Sequence, residues 1–77
     1  MKITDYSHQG FKVLENGKET DYKIKDYVEI TTKHRHYVGT LRMLDNSGIT
    51  ITCNQKSSVS PGCYIIPLGT IVSISKM

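Results

Sequence analysis

The 77 residues carry ten Lys and Arg against seven Asp and Glu, a net charge of +3 with histidine neutral. A chain this short makes one domain and buries only about 60% of the surface its unfolded form exposes, so it has little stability to spare and gains from association. No apolar run approaches the ~18 residues of a membrane span, and the opening MKITDYSHQG lacks the apolar core of a signal peptide; a cytoplasmic protein with no membrane partner is expected.

Residues 1–9 are polar and mixed and read as an ordered approach or a frayed end. Residues 10–24, GFKVLENGKETDYKI, read as a β-hairpin, because Asn16-Gly17 suits a type I′ turn with positive φ at both central positions. That turn pairs Glu15 with Lys18, Val13 with Thr20 and Phe11 with Tyr22 on one face, and Lys12 with Asp21 and Leu14 with Glu19 on the other. Opposite charges and aromatic rings face each other. A lone hairpin is marginal in water, so Phe11, Val13 and Tyr22 are expected to pack on the rest of the chain.

Residues 26–32, DYVEITT, read as a strand with Val28, Ile30 and Thr32 on one face. Lys33-His34-Arg35-His36 forms a basic tip. Residues 37–51, YVGTLRMLDNSGITI, then read as two strands around a polar turn. The first places Tyr37, Gly39, Leu41 and Met43 on one face; the second does so with Ile49, Ile51 and Cys53. Gly39 in mid-strand marks a bend or a close backbone approach. Asp45-Asn46-Ser47-Gly48 has the residue types of a turn closed by its own side chains. QKSSVSPG, residues 55–62, is a loop. Cys63–Ile66 is a short strand, Pro67–Thr70 a turn with one turn of 3₁₀-helix, and Ile71–Ile74 the last strand. No window shows the apolar spacing and caps of a helix.

Val28-Glu29-Ile30, the run from Tyr37 to Asp45, and Ile49-Thr50-Ile51 resemble the first motif of the Sm-like family: an apolar residue, x, Gly, x, an apolar residue, and an Asp four positions later. Ile65-Ile66-Pro67 to Ile74 stands for the second motif. The likeness covers residues 26–75, is nearer to the bacterial Hfq branch than to the eukaryotic Sm proteins, and extends more loosely to the src-homology-type barrels. It implies a homo-oligomeric ring, with strand four of one subunit pairing with strand five of the next, and single-stranded RNA bound at the pore or on a ring face. Tyr64, Ile65, Ile66, Ile71 and Val72 then fall at the subunit interface. The chain also departs from the family. Asn46 and Ser47 stand where the bacterial branch has its base-stacking loop, Ile49 replaces the eukaryotic Asn, and a hairpin replaces the N-terminal helix.

The expected architecture is all-β: a five-stranded, strongly bent Sm-like small barrel over 26–77, with an N-terminal segment 1–25 that carries the hairpin, in one globular unit. Lys33, His34, Arg35 and His36 are candidate phosphate contacts, or else a solvated hairpin tip. Asp45, Asn46 and Ser47 are candidate base-edge contacts, or else an Asx-type turn. His8, His34, His36, Cys53 and Cys63 lack a Cys-x-x-Cys pair, and both thiols are expected to face the core reduced, so neither a metal nor a cofactor is expected. A strand pair centred near Ser58 would make Cys53 and Cys63 direct neighbours, in reach of a disulfide that a reducing cytoplasm disfavours. No nucleophile–base–orienter set or phosphate-binding glycine loop is present, so the expected protein is not an enzyme. The two functional readings are an RNA-binding ring and a protein-interaction or assembly module without nucleic acid.

Overall fold

Asn16 and Gly17 take φ values of 54° and 78°, the left-handed conformation that a type I′ turn requires at both central residues. In the computed structural model, which describes residues 2–77, this turn joins strand β2 (Gly10–Glu15) to β3 (Lys18–Lys23). The register is the one implied by the sequence: Glu15 opposite Lys18, Val13 opposite Thr20, Phe11 opposite Tyr22. Lys2–Thr4, expected as an ordered approach or a frayed end, forms a strand, β1, on the free side of β2. The N-terminal unit is thus a three-stranded sheet in the order β1-β2-β3.

The second sheet contains β4 (Tyr27–Thr32), β5 (His36–Asp45), β6 (Gly48–Cys53), β7 (Gly62–Ile66) and β8 (Ile71–Lys76). A 3₁₀ turn, Leu68–Thr70, links β7 to β8. All pairings are antiparallel and the order is β7-β6-β5-β4-β8. The expected all-β class and five strands are observed. The sheet is open, with β7 and β8 as its two edges, so a closed barrel is not.

The two sheets share one core. Val28, Ile30, Leu41, Ile49 and Ile51 are fully buried, and Phe11, Val13 and Tyr22 from the small sheet belong to the same cluster. Burying a side chain such as Phe11 or Val13 contributes about 1.5–3 kcal/mol, which the hairpin could not obtain alone. The Phe11 and Tyr22 rings stack with centroids 5.5 Å apart. The Tyr22 hydroxyl donates to the Ile74 carbonyl at 3.2 Å and ties the small sheet to β8.

Three local features govern β5. A Cβ at Gly39 would lie 1.9 Å from the Thr52 carbonyl oxygen, so β5 and β6 come this close only because residue 39 has no side chain. A bulge interrupts the pairing between Leu41, opposite Ile51, and Met43, opposite Thr50. It corrects the expectation that Met43 shares the face of Leu41: Met43 is exposed, and Leu44 is the half-buried residue packed against the core. Val38 is also buried, although it alternates with Tyr37. The loop after β6 completes the backbone hydrogen bonds of Val38. Ser57 Oγ accepts from Val38 N–H at 2.7 Å and donates to Val38 C=O at 2.9 Å. Ser58 Oγ does the same to His36 at 2.8 and 3.2 Å. The loop continues the ladder beyond the end of β6.

Gly39→Ala is expected to destabilise the fold by on the order of 3 kcal/mol, because backbone atoms on both strands must separate. Gly69→Ala, with nothing within 4 Å of the added Cβ, should stay within about 0.5 kcal/mol of wild type; urea unfolding of the two variants measures both. Burial, reinforced by the Glu15 and Asp26 carboxylates, holds the Tyr22 phenol above its ordinary value of 10.0. The folded state therefore binds this proton more tightly than the unfolded state. The resulting stability is complete below pH about 10 and is lost as pH rises through the folded value. Tyr22→Phe should cost about 1 kcal/mol at neutral pH, from the lost hydrogen bond, and should show a smaller alkaline loss than wild type in unfolding curves from pH 8 to 11.

Candidate functional site: the basic tip and the open sheet edges

The chain reverses between β4 and β5 in a tight turn. Thr32 N–H donates to Arg35 C=O at 2.9 Å, and Arg35 N–H donates to Thr32 Oγ1 at 3.1 Å. Closed from within, the turn displays Lys33, His34 and Arg35 to solvent. His36 differs from these three. Its Nε2 lies 2.9 Å from Glu29 Oε2 and its backbone is gripped by Ser58, so it is directed onto the sheet rather than outward. The displayed trio borders an open groove of about 620 Å³ whose lining includes Tyr37, Ile71 and Val72. Pairing of Thr32 with Ile71 is what brings the tip against the start of β8. The sequence offers no local sign of this juxtaposition.

Asp45–Gly48 forms the expected Asx-type turn, with Ser47 N–H donating to Asp45 Oδ1 at 2.7 Å. Asn46 and Ser47 are exposed, and Asp45 is half-buried with one carboxylate oxygen engaged. This turn and the basic tip sit at opposite ends of the ten-residue β5. One chain therefore does not unite the two groups of candidate RNA contacts.

The edge strands of the larger sheet differ from those of the small one. β7 contains no charged residue, and β8 has only Lys76, at its end. Ile65 on β7 and Val72 on β8 are 60% and 59% exposed. Tyr64 is half-buried, its ring centroid 5.7 Å from that of Tyr37, and Ile71 also packs against the core. Ile66 is buried at 1% exposure, so it presents backbone, not side chain, to any neighbour. The outer strand β3, by contrast, carries Lys18, Glu19, Asp21 and Lys23, the charged dress that discourages edge pairing.

The cysteines correct a second expectation. Cys53 pairs with Gly62, and Cys63 with Thr52. The register is one residue away from a direct pair, so the two thiols point to opposite faces. Cys53 is buried and Cys63 is exposed; both are free. Burial pushes the Cys53 thiol up, partly offset by its hydrogen bond with Ser57. Among the described residues, no three His, Cys, Asp or Glu side chains gather as a metal-binding group.

One equivalent of thiol, Cys63, should react promptly with a disulfide reagent at pH 8, and Cys53 only at the rate of unfolding. Prompt reaction of two equivalents in the native protein would contradict the register.

No family model, curated protein or solved structure matches the chain significantly, so its geometry is the ground for a functional reading.

Proposed function

We propose that the chain is an Sm-like small barrel that assembles into a homo-oligomeric ring, β7 of one copy pairing with β8 of the next, and that the ring binds single-stranded RNA through its basic tips. The observation that carries this reading is the pair of open edges in the order β7-β6-β5-β4-β8, uncharged but for Lys76 at the end of β8, with Ile65 and Val72 exposed on them. An unpaired apolar edge is normally covered. Pairing two different edges is a heterologous contact, which closes into a ring when the rotation permits.

The RNA part of the reading rests on the neighbourhood of β8. Lys33, His34 and Arg35 border the groove that reaches Ile71 and Val72, so each junction between copies would carry one cationic tip. Repeating tips around a ring suit a repeating phosphate chain, with an affinity that falls steeply with salt. The engaged Glu29–His36 and Asp45–Ser47 pairs leave fewer free polar groups than the sequence suggests. They favour the second reading, an assembly module without nucleic acid.

Light scattering on the eluting native protein should give the mass of about five to seven copies. Ile65→Lys and Val72→Lys, both at exposed positions, should give folded monomers; a monomeric wild type would overturn the ring. Lys33→Ala with Arg35→Ala should lower RNA affinity and reduce the slope of log K against log salt by about 1.4, at roughly 0.7 per phosphate on a single strand. A ring that binds no RNA at low salt would select the assembly module.

A further inference from the structure

The seam between the small sheet and the far end of β5 holds a second groove, of about 820 Å³. Three local features shape it. Asp5 takes φ 52°, a left-handed conformation that Asp tolerates better than most residues, and turns the chain directly after β1. Ser7 N–H then donates to Gly10 C=O at 2.8 Å, and Gln9 N–H to Ser7 Oγ at 3.2 Å. The short loop they close contributes Tyr6 and His8 to one side of the groove. On the other side the bulge in β5 leaves Arg42 without an opposite residue on β6 and turns Met43 out of the core. Bulges re-aim side chains in this way beside binding sites.

The groove therefore combines Tyr6, 59% exposed, and Met43, 49% exposed, with Arg42 and His8 as exposed cations or donors and Asn46 at the turn. Ile24 and Leu44, both half-buried, are its apolar floor. An exposed aromatic ring, a thioether, a guanidinium and a side-chain amide along one cleft match the parts of a nucleotide. The ring and thioether offer a flat apolar contact to a base, the guanidinium offers paired donors to a phosphate, and the amide can read a base edge. Asp45, which also lines the groove, would repel an anion placed beside it.

We infer that this seam is a nucleotide subsite for single-stranded RNA, in which Tyr6 stacks on a base and Arg42 holds a phosphate. The inference rests on the RNA-binding reading above, but it uses none of the Lys33–Arg35 tip. It also gives the N-terminal sheet a role: without β1 and the loop after it, the groove would have only one wall.

The test uses fluorescent hexauridylate and hexaadenylate with the full chain, by anisotropy over a series of salt concentrations. Tyr6→Ala should weaken binding about tenfold, and Tyr6→Phe should restore it, since the ring face and not the hydroxyl makes the contact. Arg42→Ala should reduce the salt slope by about 0.7, the value for one phosphate. Photo-crosslinking with mass spectrometry should place the RNA on the peptide that contains Tyr6 and His8. Tyr6→Ala and Arg42→Ala variants that bind as wild type, while the Lys33→Ala, Arg35→Ala variant loses binding, would overturn the seam and leave the RNA reading standing. Absence of wild-type binding to either hexamer at low salt would overturn the RNA reading itself. A groove that responds to an apolar peptide and to neither hexamer would overturn the inference in favour of protein docking.

Discussion

β5 and β6 approach so closely at Gly39 that a single added carbon would meet the Thr52 carbonyl oxygen at 1.9 Å. Much of the molecule depends on this contact. β5 is the longest strand and the middle of the larger sheet: it pairs with β4 along one side and β6 along the other. The core residues Val28, Ile30, Leu41, Ile49 and Ile51 all come from these three strands. Tight apposition at residue 39 keeps β5 and β6 paired and so holds these core side chains in register, and a small domain with few buried side chains can hardly tolerate their separation.

β5 has the basic tip at one end and the Asx-type turn and the seam groove at the other, whereas the open edges β7 and β8 lie beyond β6 and β4 on either side. At its start the backbone of His36 and Val38 is completed by serine hydroxyls of the following loop, and the basic tip projects from the turn before it. Near its finish the bulge re-aims Arg42 and Met43, and the Asx-type turn closes on itself. Rigid pairing in the middle and irregular backbone at both ends is an arrangement in which the scaffold holds shape and the ends carry recognition.

The molecule treats its sheet edges unequally. β3 is guarded by alternating charges, and β1 is only three residues long. β7 has neither protection, and β8 has only Lys76 at its end. The small sheet is also bound to the same core and to the β8 backbone through Tyr22, with Lys76 3.7 Å from Asp26. That exposed ion pair adds little energy; the buried Phe11, Val13 and Tyr22 are what hold the two sheets together. The N-terminal unit is thus a layer of the domain, and one wall of the seam groove belongs to it.

The sequence by itself determined the strands whose information is local. Asn16-Gly17 sets a two-residue turn and hence every pair in the β2–β3 hairpin. The alternation around Ile49 and Ile51 sets which face of β6 is buried, and Pro67–Thr70 signals the 3₁₀ turn. Tertiary structure decided what depends on a distant partner. β1 exists because β2 offers it hydrogen bonds, not because of any period in Lys2–Thr4. The bulge at Arg42 reverses the parity of Met43 and Leu44, since one extra residue moves all later side chains to the other face. The backbone of Val38 is completed by a loop some twenty residues away, and the offset of Cys53 from Cys63 follows from how that loop closes. His36 meets Glu29, and the tip meets β8, only through the β4–β5 and β4–β8 pairings. Alternation is written in neighbouring residues, but register, bulges and cross-sheet contacts are set by the sum of many pairings, and no single stretch of chain encodes that sum.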